Sequence, residues 1–367
     1  MAIHYLYRST DLYDYMVRFF THLNIPAQDA ETIANVLLAA DLRGVESHGI
    51  IRLHSYYGNR LRQGLINPLS SVSVIQETHA TIALDGGNGM GQVVARQAML
   101  RCIEKAEHSG VAMATVRNSN HYGIAGYYAM MALPWDMIGI SFTNSQPLVA
   151  PTYGRKAILG TNPIAVAAPT EKERPFVLDM ATSIVPIGRI TVHEKAGIEI
   201  PPGWGIDKEG VVTTDPSAVR QGGALMPLGG IDLMRGYKGY GLALMVDIFS
   251  GVLSGANYGP HVGKPSEAKP YADVGHFFAA IKIDAFRPHE EFKKDLDAYI
   301  QLLKDTPKAL DQERIFIHGE KEFERAERYE RDGIPLLPEV VKGLKEGGHE
   351  VGVEFDLPVL GEIDLSE

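Results

Sequence analysis

A short strand that leads directly into a helix is the feature that most constrains the fold of this chain. Residues 111–116 are small, apolar and partly β-branched, and they follow Gly110, a pattern that predicts a buried strand. Residues 124–131 have the pattern of a helix, so residues 117–123 form the junction. Ligands of α/β proteins bind where strands end and helices begin. His121 lies at this junction with an unperturbed pKa near neutrality, which suits a proton carrier; a helix cap or a purely structural histidine is the other interpretation.

The first 70 residues are predicted to form a helical lobe. Apolar residues recur at helical spacing in three stretches, which begin at Ser9, after Pro26 and near Ser47. Ser9 is a predicted N-cap, and the third helix is predicted to run to about Gly64 with one apolar face in the core. We take residues 1–70 as this lobe.

Residues 71–285 alternate between β-rich segments, helices and turn-rich loops. Regular βαβ units do not separate the strands, and this predicts an α/β fold whose sheet is mixed rather than purely parallel. A passage rich in glycine and proline, residues 201–230, is predicted to be loop. Residues 242–253 form a nearly all-apolar helix that is predicted to be buried.

Charged amphipathic helices follow Pro288, with one strand-like interruption at residues 314–319. We therefore predict that residues 286–367 are a C-terminal helical segment that packs back on the N-terminal lobe. From about Lys345 the tail is acidic, and it is predicted to be loosely held.

The charge balance excludes several classes of partner. The chain has 45 Asp and Glu residues against 35 Lys and Arg residues, a net charge of −10, and no basic stripe. Nucleic acid and an anionic membrane are therefore not expected partners, and an anionic substrate would need its own Arg or Lys. Asp11 and Asp14 interrupt the apolar start that a signal peptide needs, and no apolar run approaches the ~20 residues of a membrane span. Cys102 is the one cysteine, so no intrachain disulfide can form, which fits a cytoplasmic protein.

The third predicted helix carries a second set of polar residues. His48, Arg52 and Tyr56 are spaced four apart, so on a regular helix they share one side, away from the apolar face. A histidine, an arginine and a tyrosine on one stripe could bind a carboxylate, with Arg52 donating in bidentate fashion. A solvated or interfacial polar face has the same pattern.

Two further charged residues stand at the ends of predicted elements. Asp179 closes the apolar strand at residues 176–178, where a carboxylate can orient a histidine, bind a hydroxyl group or cap a turn. Lys238 precedes Gly239 and Gly241 at the start of the apolar helix, and this arrangement suits an anion at a helix N-terminus. Packing glycines beside a surface lysine are the alternative.

Several common nucleotide and catalytic motifs are absent. The nearest approach to a G-x-G-x-x-G fingerprint is residues 87–92, where Gln92 stands in place of the last glycine. There is no Walker lysine motif, no G-x-S-x-G elbow and no H-E-x-x-H. No metal is expected, because the histidines do not pair at metal-ligand spacings. A dinucleotide would therefore have to bind without the ordinary Rossmann fingerprint.

Five segments together resemble the motifs of the type-2 malate/L-lactate dehydrogenase family, in that family's order and spacing. They are DLRGVESHGIIRL at residues 41–53, NSNHYG at 118–123, LGTNP at 159–163, LDMAT at 178–182 and KGYG at 238–241. The resemblance covers residues 8 to 340. It implies a non-Rossmann fold, NAD or NADP as cofactor, and a homodimer.

The resemblance also implies roles for individual residues. His121 matches the acid/base histidine, while His48, Arg52 and Thr161 match the substrate side, to which the helical spacing adds Tyr56. The residues that match cofactor-binding positions are Ser145, Asp179, Met180, Ala181, Lys238, His318, Gly319 and Glu320.

The expected function is hydride transfer between NAD, with NADP as the alternative, and a small 2-hydroxy acid. The expected substrate is (S)-malate, with Arg52 holding its carboxylate and His121 moving the proton. A second scheme makes His48 the proton carrier and Asp179 its orienting partner. An imine or diketo-acid reductase and, more remotely, a non-catalytic nucleotide-binding protein are the other classes that this sequence leaves open.

Overall fold

The computed structural model describes residues 3–263 and 271–364, and within them a seven-stranded sheet carries most of the β structure. The strands are β1 (Ile3–Tyr7), β2 (Ser73–Glu77), β3 (Thr81–Asp85), β4 (Val111–Ser119), β5 (Met137–Thr143), β6 (Ile164–Ala168), β7 (Phe176–Met180), β8 (Gly205–Ile206), β9 (Val212–Thr213), β10 (Ala224–Leu225), β11 (Val274–Lys282), β12 (Ile334–Leu336) and β13 (Gly361–Asp364).

Helices flank this sheet and form most of both chain ends. The α-helices are α1 (Ser9–His22), α2 (Ala27–Leu42), α3 (Asn59–Arg62), α4 (Gly91–Ser109), α5 (Ala125–Met130), α6 (Ile187–Ala196), α7 (Pro216–Arg220), α8 (Tyr237–Asp247), α9 (His289–Asp305), α10 (Glu320–Asp332) and α11 (Pro338–Val351). Among the residues with defined positions, no helix is both long and apolar enough to cross a membrane.

The large sheet is mixed, which confirms the predicted α/β class. Its strand order is β2-β3-β4-β11-β5-β6-β7. Only β3 and β4 run parallel, joined by α4, and the other neighbouring pairs are antiparallel. A Rossmann sheet is parallel throughout its core, so this order and direction differ from that fold.

The strand and helix around residue 121 form as predicted. Gly110 has a φ of 79°, and this left-handed residue ends α4 and starts β4. Ala112, Ala114 and Val116 alternate into the core, and β4 continues to Ser119. The polar junction before α5 therefore lies at the end of a strand next to the sheet centre.

Both chain ends meet in a second sheet that the sequence analysis did not predict. β1 pairs antiparallel with both β12 and β13, so the N-terminal lobe begins with a strand. The expectation of a loose tail is wrong, because Val353 and Phe355 are buried and the ring of Phe355 packs on Tyr15 with centroids 4.8 Å apart. Truncating a buried phenylalanine costs ~3–5 kcal/mol, so this contact is a substantial anchor.

Three local predictions also require correction. Ser9 is the first helical residue of α1, and its hydroxyl donates to Glu330 instead of capping the helix. The third helix is not regular: a 3₁₀ turn (Glu46–His48) and a π-helical stretch (Leu53–Gly58) precede α3. Residues 314–319 form no strand. The predicted apolar face of the third helix is nevertheless buried at Ile50, Leu53, Tyr57 and Leu61.

Residues 201–230 are more ordered than predicted, because β8, β9 and β10 form a small sheet beside α7. The apolar helix beyond them consists of α8 and a π-helical stretch that continues it (Ile248–Val252), and it is only half-buried, which corrects the prediction of a buried helix. Leu244, Ile248 and Val252 are 40%, 46% and 55% exposed. Their spacing of four places them on one face, opposite the side that packs on the sheet.

The C-terminal helices contact two different parts of the molecule. Lys293 of α9 forms an ion pair with Asp136, beside the sheet. In contrast, α10 packs on α2, and α11 lies against the N-terminal helices, where the Tyr15 hydroxyl donates to the Leu344 carbonyl. The C-terminal helices α10 and α11 therefore support the N-terminal lobe, which carries residues 46–62.

Candidate active site

His121 has one ring nitrogen held by the protein. The Tyr57 hydroxyl lies 2.6 Å from Nδ1, and the Gly123 nitrogen lies 3.4 Å from the same atom. Gly123 has a φ of 85°, which lets its amide turn back toward the histidine. Nε2 has no protein partner among residues 3–263 and 271–364, so it is the atom available to a ligand.

Buried polar contacts fix the loop that carries His121. The Asn120 amide donates to the carbonyls of Asn88 and Gly89, at the start of α4. Gly91 approaches so closely that an added Cβ would lie 2.2 Å from the Asn120 carbonyl oxygen. At the end of β4, just before this loop, the Ser119 hydroxyl lies 2.8 Å from Nε2 of His276. The histidine therefore rests on a rigid support, as precise proton transfer requires.

His48 is positioned by a tight turn that explains the DLRGVESHGI motif. The buried Asp41 carboxylate accepts the Ile50 N–H at 2.7 Å. Gly49 is required there, because a Cβ would lie 1.8 Å from Asp41 Oδ1. The Ser47 hydroxyl lies 2.8 Å from His48 Nδ1, and the other ring nitrogen has no hydrogen-bond partner in the part of the chain that the structure describes. Its partner is thus Ser47 rather than Asp179.

Three of the four residues of the predicted substrate side, His48, Arg52 and Tyr56, come together around His121, whereas Thr161 lies against Ser145. The rings of His48 and His121 stack with centroids 5.4 Å apart, and the Tyr56 ring lies 5.4 Å from His121. The Arg52 guanidinium is 5.7 Å from the Tyr56 ring centroid, and its Nε donates to the Ser47 carbonyl. The π-helical stretch does not separate these residues. Its wider turn changes the direction of the following side chains by only part of a full rotation about the helix axis, so they stay on neighbouring sides.

Both histidines are neutral at neutral pH. Burial, followed by the positive charge of Arg52, lowers the pKa of His48 to about 4. Burial lowers the pKa of His121 well below its usual value, and the neighbouring His48 and Arg52 add to the effect. Both side chains nevertheless keep solvent-accessible surface. Both histidines are thus crowded by protein atoms and still open to solvent, and the space in front of them is here called the cleft.

Asp179 lies on β7, next to the start of α5, the helix that follows the His121 loop. Its carboxylate accepts the Gly126 N–H at 2.7 Å, at the start of α5. Desolvation raises the pKa of Asp179 to about 6, although its side chain is open to solvent, and hydrogen bonding to Gly126 and the charge of Arg43 oppose that rise. The sequence analysis ended this strand at residue 178, whereas β7 includes Asp179 and Met180.

A hydrogen-bonded chain joins several of the other candidate residues. The Ser145 hydroxyl accepts the Thr161 N–H at 3.0 Å and lies 3.3 Å from the Thr161 hydroxyl. The Thr161 carbonyl accepts from Thr182, next to Ala181 at the end of β7. Thr182 in turn accepts the Leu228 N–H, and Leu228 packs against the start of α8. Ser145, Thr161 and the residues after Asp179 therefore form one wall.

A surface cavity of about 680 Å³ elsewhere is lined by Asp11, Asp14 and Glu31 on α1 and α2. Its acidic wall repels anions and it contains no candidate residue. The one group of three potential metal ligands in the described ranges, Asp284, His289 and Glu290, lies at the start of α9 and is also outside the cleft. The chemistry therefore centres on His121.

The sequence model of the family described as malate/L-lactate dehydrogenase matches residues 7–345. This chain belongs to that family. It is 50% identical to the malate dehydrogenase of Pyrococcus abyssi over 345 residues, which cover 94% of each chain. It is 40% identical to the L-sulfolactate dehydrogenase of Methanocaldococcus jannaschii, over 90% of this chain and 93% of that one.

The architecture agrees with the family as well. The structure of malate dehydrogenase from Pyrococcus horikoshii OT3 superposes with a TM-score of 0.87 and 46% identity, covering 96% of this chain and 97% of that chain. The family identification made from the five motifs is confirmed, and with it the enzyme class, a hydroxyacid dehydrogenase. Such an enzyme uses a nicotinamide cofactor.

The cofactor-side residues suit a dinucleotide to different degrees. Lys238 is an exposed cation in the first turn of α8, where the positive end of the helix dipole adds to its attraction for phosphate. The His318 carbonyl accepts the Val177 N–H, and Gly319, with a φ of 98°, lies against Val177. This loop therefore lies against the strand that carries Asp179.

Glu320 has a different position from the one its proposed role requires. Its side chain is buried, with the carboxylate 2.5 Å from Lys304 Nζ and accepting the Ile317 N–H at 2.9 Å. These contacts lower its pKa against the opposing effect of burial. Glu320 thus stabilises the loop, and its side chain is not free to bind a nucleotide.

Tyr57 is the main residue of this site that the sequence analysis missed as functional. Its ring was assigned to the apolar face of the third helix, which is where it lies, fully buried. A usable signal existed, because a buried tyrosine hydroxyl needs a hydrogen-bond partner. The partner is His121 of another segment, and that pairing is visible only in the folded chain.

Proposed function

We propose that this enzyme oxidises (S)-malate to oxaloacetate and reduces oxaloacetate in the reverse direction, with NAD as cofactor. The observation that carries the proposal is the pairing of a neutral His121, whose Nε2 is available, with the nearby Arg52 guanidinium in one cleft. The malate dehydrogenase named above, at 50% identity, supports malate over other hydroxy acids.

Arg52 would bind the substrate carboxylate through its two terminal nitrogens, since its Nε is already bonded to Ser47. That contact orients the carbon that bears the hydroxyl group toward His121. In the tautomer whose Nδ1–H donates to the Tyr57 hydroxyl oxygen, the neutral imidazole takes the substrate's hydroxyl proton on Nε2 during oxidation, and the imidazolium returns it to the ketone oxygen during reduction. When bound, the nicotinamide ring supplies the hydride acceptor.

The depressed pKa of His121 predicts a particular pH profile for oxidation. Only the unprotonated imidazole can act as base, so activity is lost as the pH falls through the pKa of the free enzyme. Burial, His48 and Arg52 hold that pKa well below 6.5. We expect kcat/KM for malate oxidation to be flat from about pH 8 to 6.5, with its acid limb below that range. A limb centred at pH 7 or above would contradict this assignment.

Tyr57 is proposed to position His121 by holding Nδ1. Replacing Tyr57 with phenylalanine keeps the buried ring and removes one hydrogen bond of about 1–2 kcal/mol, so kcat is expected to fall about tenfold with little change in KM. The pKa of His121 is also expected to change, and with it the position of the acid limb of the pH profile. A purely structural effect would not move that limb. Tyr15→Phe is the matched control, because its buried hydroxyl bonds the Leu344 carbonyl far from the cleft. Equal losses in both variants would argue against a role for Tyr57 in positioning.

His48 is proposed to bind the substrate oxygen as a neutral hydrogen-bonding group. The scheme in which His48 carries the proton remains open, but without Asp179 as its orienting partner. Ser47 holds the nitrogen that such a partner would need, and Asp179 accepts from Gly126 instead. Asp179, Met180 and Ala181 are proposed to line the cofactor wall together with Ser145.

The cofactor is proposed to lie with its phosphates toward Lys238 and its ring toward the wall of Ser145 and Thr161, with the loop of His318 and Gly319 beside it. NADP carries an additional 2′-phosphate that needs its own cation, and an acidic residue near the ribose favours NAD. Assays with both cofactors decide between them.

A substrate screen tests the proposed activity. Purified protein is assayed with NADH and NADPH against oxaloacetate, pyruvate, sulfopyruvate and cyclic imines, and with NAD⁺ or NADP⁺ against malate and ureidoglycolate. We expect the highest kcat/KM with oxaloacetate and malate. A preference for cyclic imines or diketo acids would make the chain a reductase of that class, and no turnover together with no NADH binding would make it non-catalytic.

A homodimer is proposed, in which two copies bury the exposed apolar face of α8 and of the π-helical stretch that continues it. Leu244, Ile248 and Val252 form an exposed stripe on a helix whose other side packs on the sheet, and apolar stripes of this kind mark protein interfaces. Sedimentation velocity of the purified chain measures its mass directly, and a monomer at micromolar concentration would contradict the proposal.

We also propose a cytoplasmic location, which the single buried Cys102 supports. No nucleic acid or membrane partner is proposed, given the net charge of −10. Residues 1–70, 71–285 and 286–367 remain our proposed division into lobe, sheet domain and returning segment.

A further inference from the structure

Three arginines lie on or beside the irregular helix that follows the 46–50 turn, and only one has a carboxylate partner. Arg62 forms an ion pair with Glu350 at 2.7 Å. Within residues 3–263 and 271–364, neither Arg52 nor Arg60 has a carboxylate within 4.0 Å. Both are partly buried, and Arg60 Nε is a buried atom without a hydrogen-bond partner. A partly buried cation that lacks a protein anion is well suited to bind an anionic ligand.

The two guanidinium groups that lack a carboxylate partner, those of Arg52 and Arg60, converge on the ring of Tyr56. The central carbon of Arg52 lies 5.7 Å from the ring centroid, and that of Arg60 lies 5.0 Å from it. The same ring is 5.4 Å from the imidazole of His121. Both positive charges act on His121, where they help to lower its pKa. Two cations are therefore placed around one proton carrier, in a protein whose net charge is negative.

His48 cannot supply the second positive charge. Its pKa of about 4 leaves it neutral at neutral pH, and its Nδ1 lies next to the Ser47 hydroxyl. A neutral imidazole can bind an oxygen atom, but it gives little preference for a charged group over an uncharged one. The permanent charge of Arg60 does give that preference.

We propose that Arg60 determines substrate specificity by binding the second acidic group of the substrate while Arg52 binds the first. The enzyme therefore selects hydroxy acids with two negative charges over singly charged ones such as lactate. This inference rests on the proposed function for its view of Arg52 and His121. The relatives described above are named for malate and sulfolactate, and both of these substrates carry a second acidic group.

Kinetics with one doubly and one singly charged acid test the proposal. We expect Arg60→Met to lower kcat/KM for (S)-malate about 100-fold, as loss of a charge-assisted contact does, while kcat/KM for (S)-lactate changes less than about threefold. Arg60→Gln also removes the charge, and we expect it to change kcat/KM for the two acids in the same way as Arg60→Met. Arg62→Met is the matched control, because Arg62 already pairs with Glu350, and it should leave the ratio of the two substrates unchanged. Equal losses for both acids in the Arg60 variants, or an unchanged rate with malate, would overturn the proposal.

A binding measurement separates this inference from the proposed activity. Succinate and butyrate have four carbons each and differ in having two charges and one, and their binding to the purified enzyme is measured by calorimetry. We expect the wild-type chain to bind succinate more tightly, and Arg60→Met to abolish the difference. Thermal unfolding confirms that the variant is folded. If the chain shows no dehydrogenase activity but keeps this dependence on Arg60, the proposed function fails and the inference stands. If succinate and butyrate bind the wild-type chain equally, the inference fails whatever the activity.

Discussion

Replacing His121 with alanine is expected to lower kcat for malate oxidation by about 10²–10⁴-fold, the usual contribution of a positioned acid/base group. The expectation follows from the position of its ring, with Nδ1 held by Tyr57 and Nε2 free. The loss should fall on kcat more than on KM, because proton transfer belongs to the transition state. Steady-state kinetics over pH 5 to 9 measure both, and the acid limb should disappear with the imidazole.

Two further variants make this result interpretable. His22→Ala removes an exposed histidine at the end of α1 and should leave kcat unchanged. His48→Ala should weaken binding of the substrate oxygen but keep the acid limb if His121 is the carrier. A His121→Ala enzyme that retains most of its turnover, beside a His48→Ala enzyme that loses it, would assign the proton to His48.

Replacing Arg52 with methionine is expected to lower kcat/KM by about 10²–10³-fold with every hydroxy acid tested. The substrate carboxylate would lose its charge-assisted partner, and loss of one member of such a pair costs about 2–5 kcal/mol. Methionine keeps much of the side-chain stem, so the packing against Tyr56 changes little. Removing the positive charge should also raise the pKa of His121 and move the acid limb of the oxidation profile to higher pH.

The control for this change is again Arg62→Met. Arg52→Lys adds a second comparison, because lysine keeps the charge without the planar fork and should recover only part of the loss. A loss confined to malate, with lactate unaffected, would exchange the proposed roles of Arg52 and Arg60. An Arg52→Met enzyme with normal kcat/KM would remove Arg52 from the substrate site.

The parts of the fold that could be predicted from the sequence are those whose pattern is local. The alternation in residues 111–116 and the glycine at 110 are enough to place β4, and the polar junction after it follows. The apolar face of the third helix was also predictable, although the helix itself is irregular, because burial depends on which residues are apolar and tolerates an extra residue in a turn.

Long-range pairings could not be predicted in this way. β1 and β13 are short, and neither pairs with a sequence neighbour, so nothing in their own residues identifies the partner. The buried position of Phe355 depends on Tyr15, more than 300 residues away. The contact between Tyr57 and His121 is of the same kind.

The exposed face of α8 and of the π-helical stretch that continues it was mispredicted for a different reason. A helix that is apolar on all sides is expected to be buried, and the usual inference is burial within the same chain. Leu244 and Ile248 are exposed in a single chain, and the proposed dimer would bury them. Under that proposal, the sequence analysis is correct that the face is buried and wrong only about which chain buries it, which composition does not specify.

Transfer of deuterium from substrate to cofactor is the most direct test of the central claim, that this chain moves hydride from C2 of (S)-malate to nicotinamide beside His121. The wild-type enzyme is incubated with NAD⁺ and (S)-malate that carries deuterium at C2, and the reduced cofactor is examined by mass spectrometry and NMR. We predict that the label is found at C4 of the nicotinamide ring, and that its appearance slows with kcat in the His121→Ala enzyme. Reduced cofactor without the label, or no reduced cofactor with malate while another substrate class is turned over, would contradict the account.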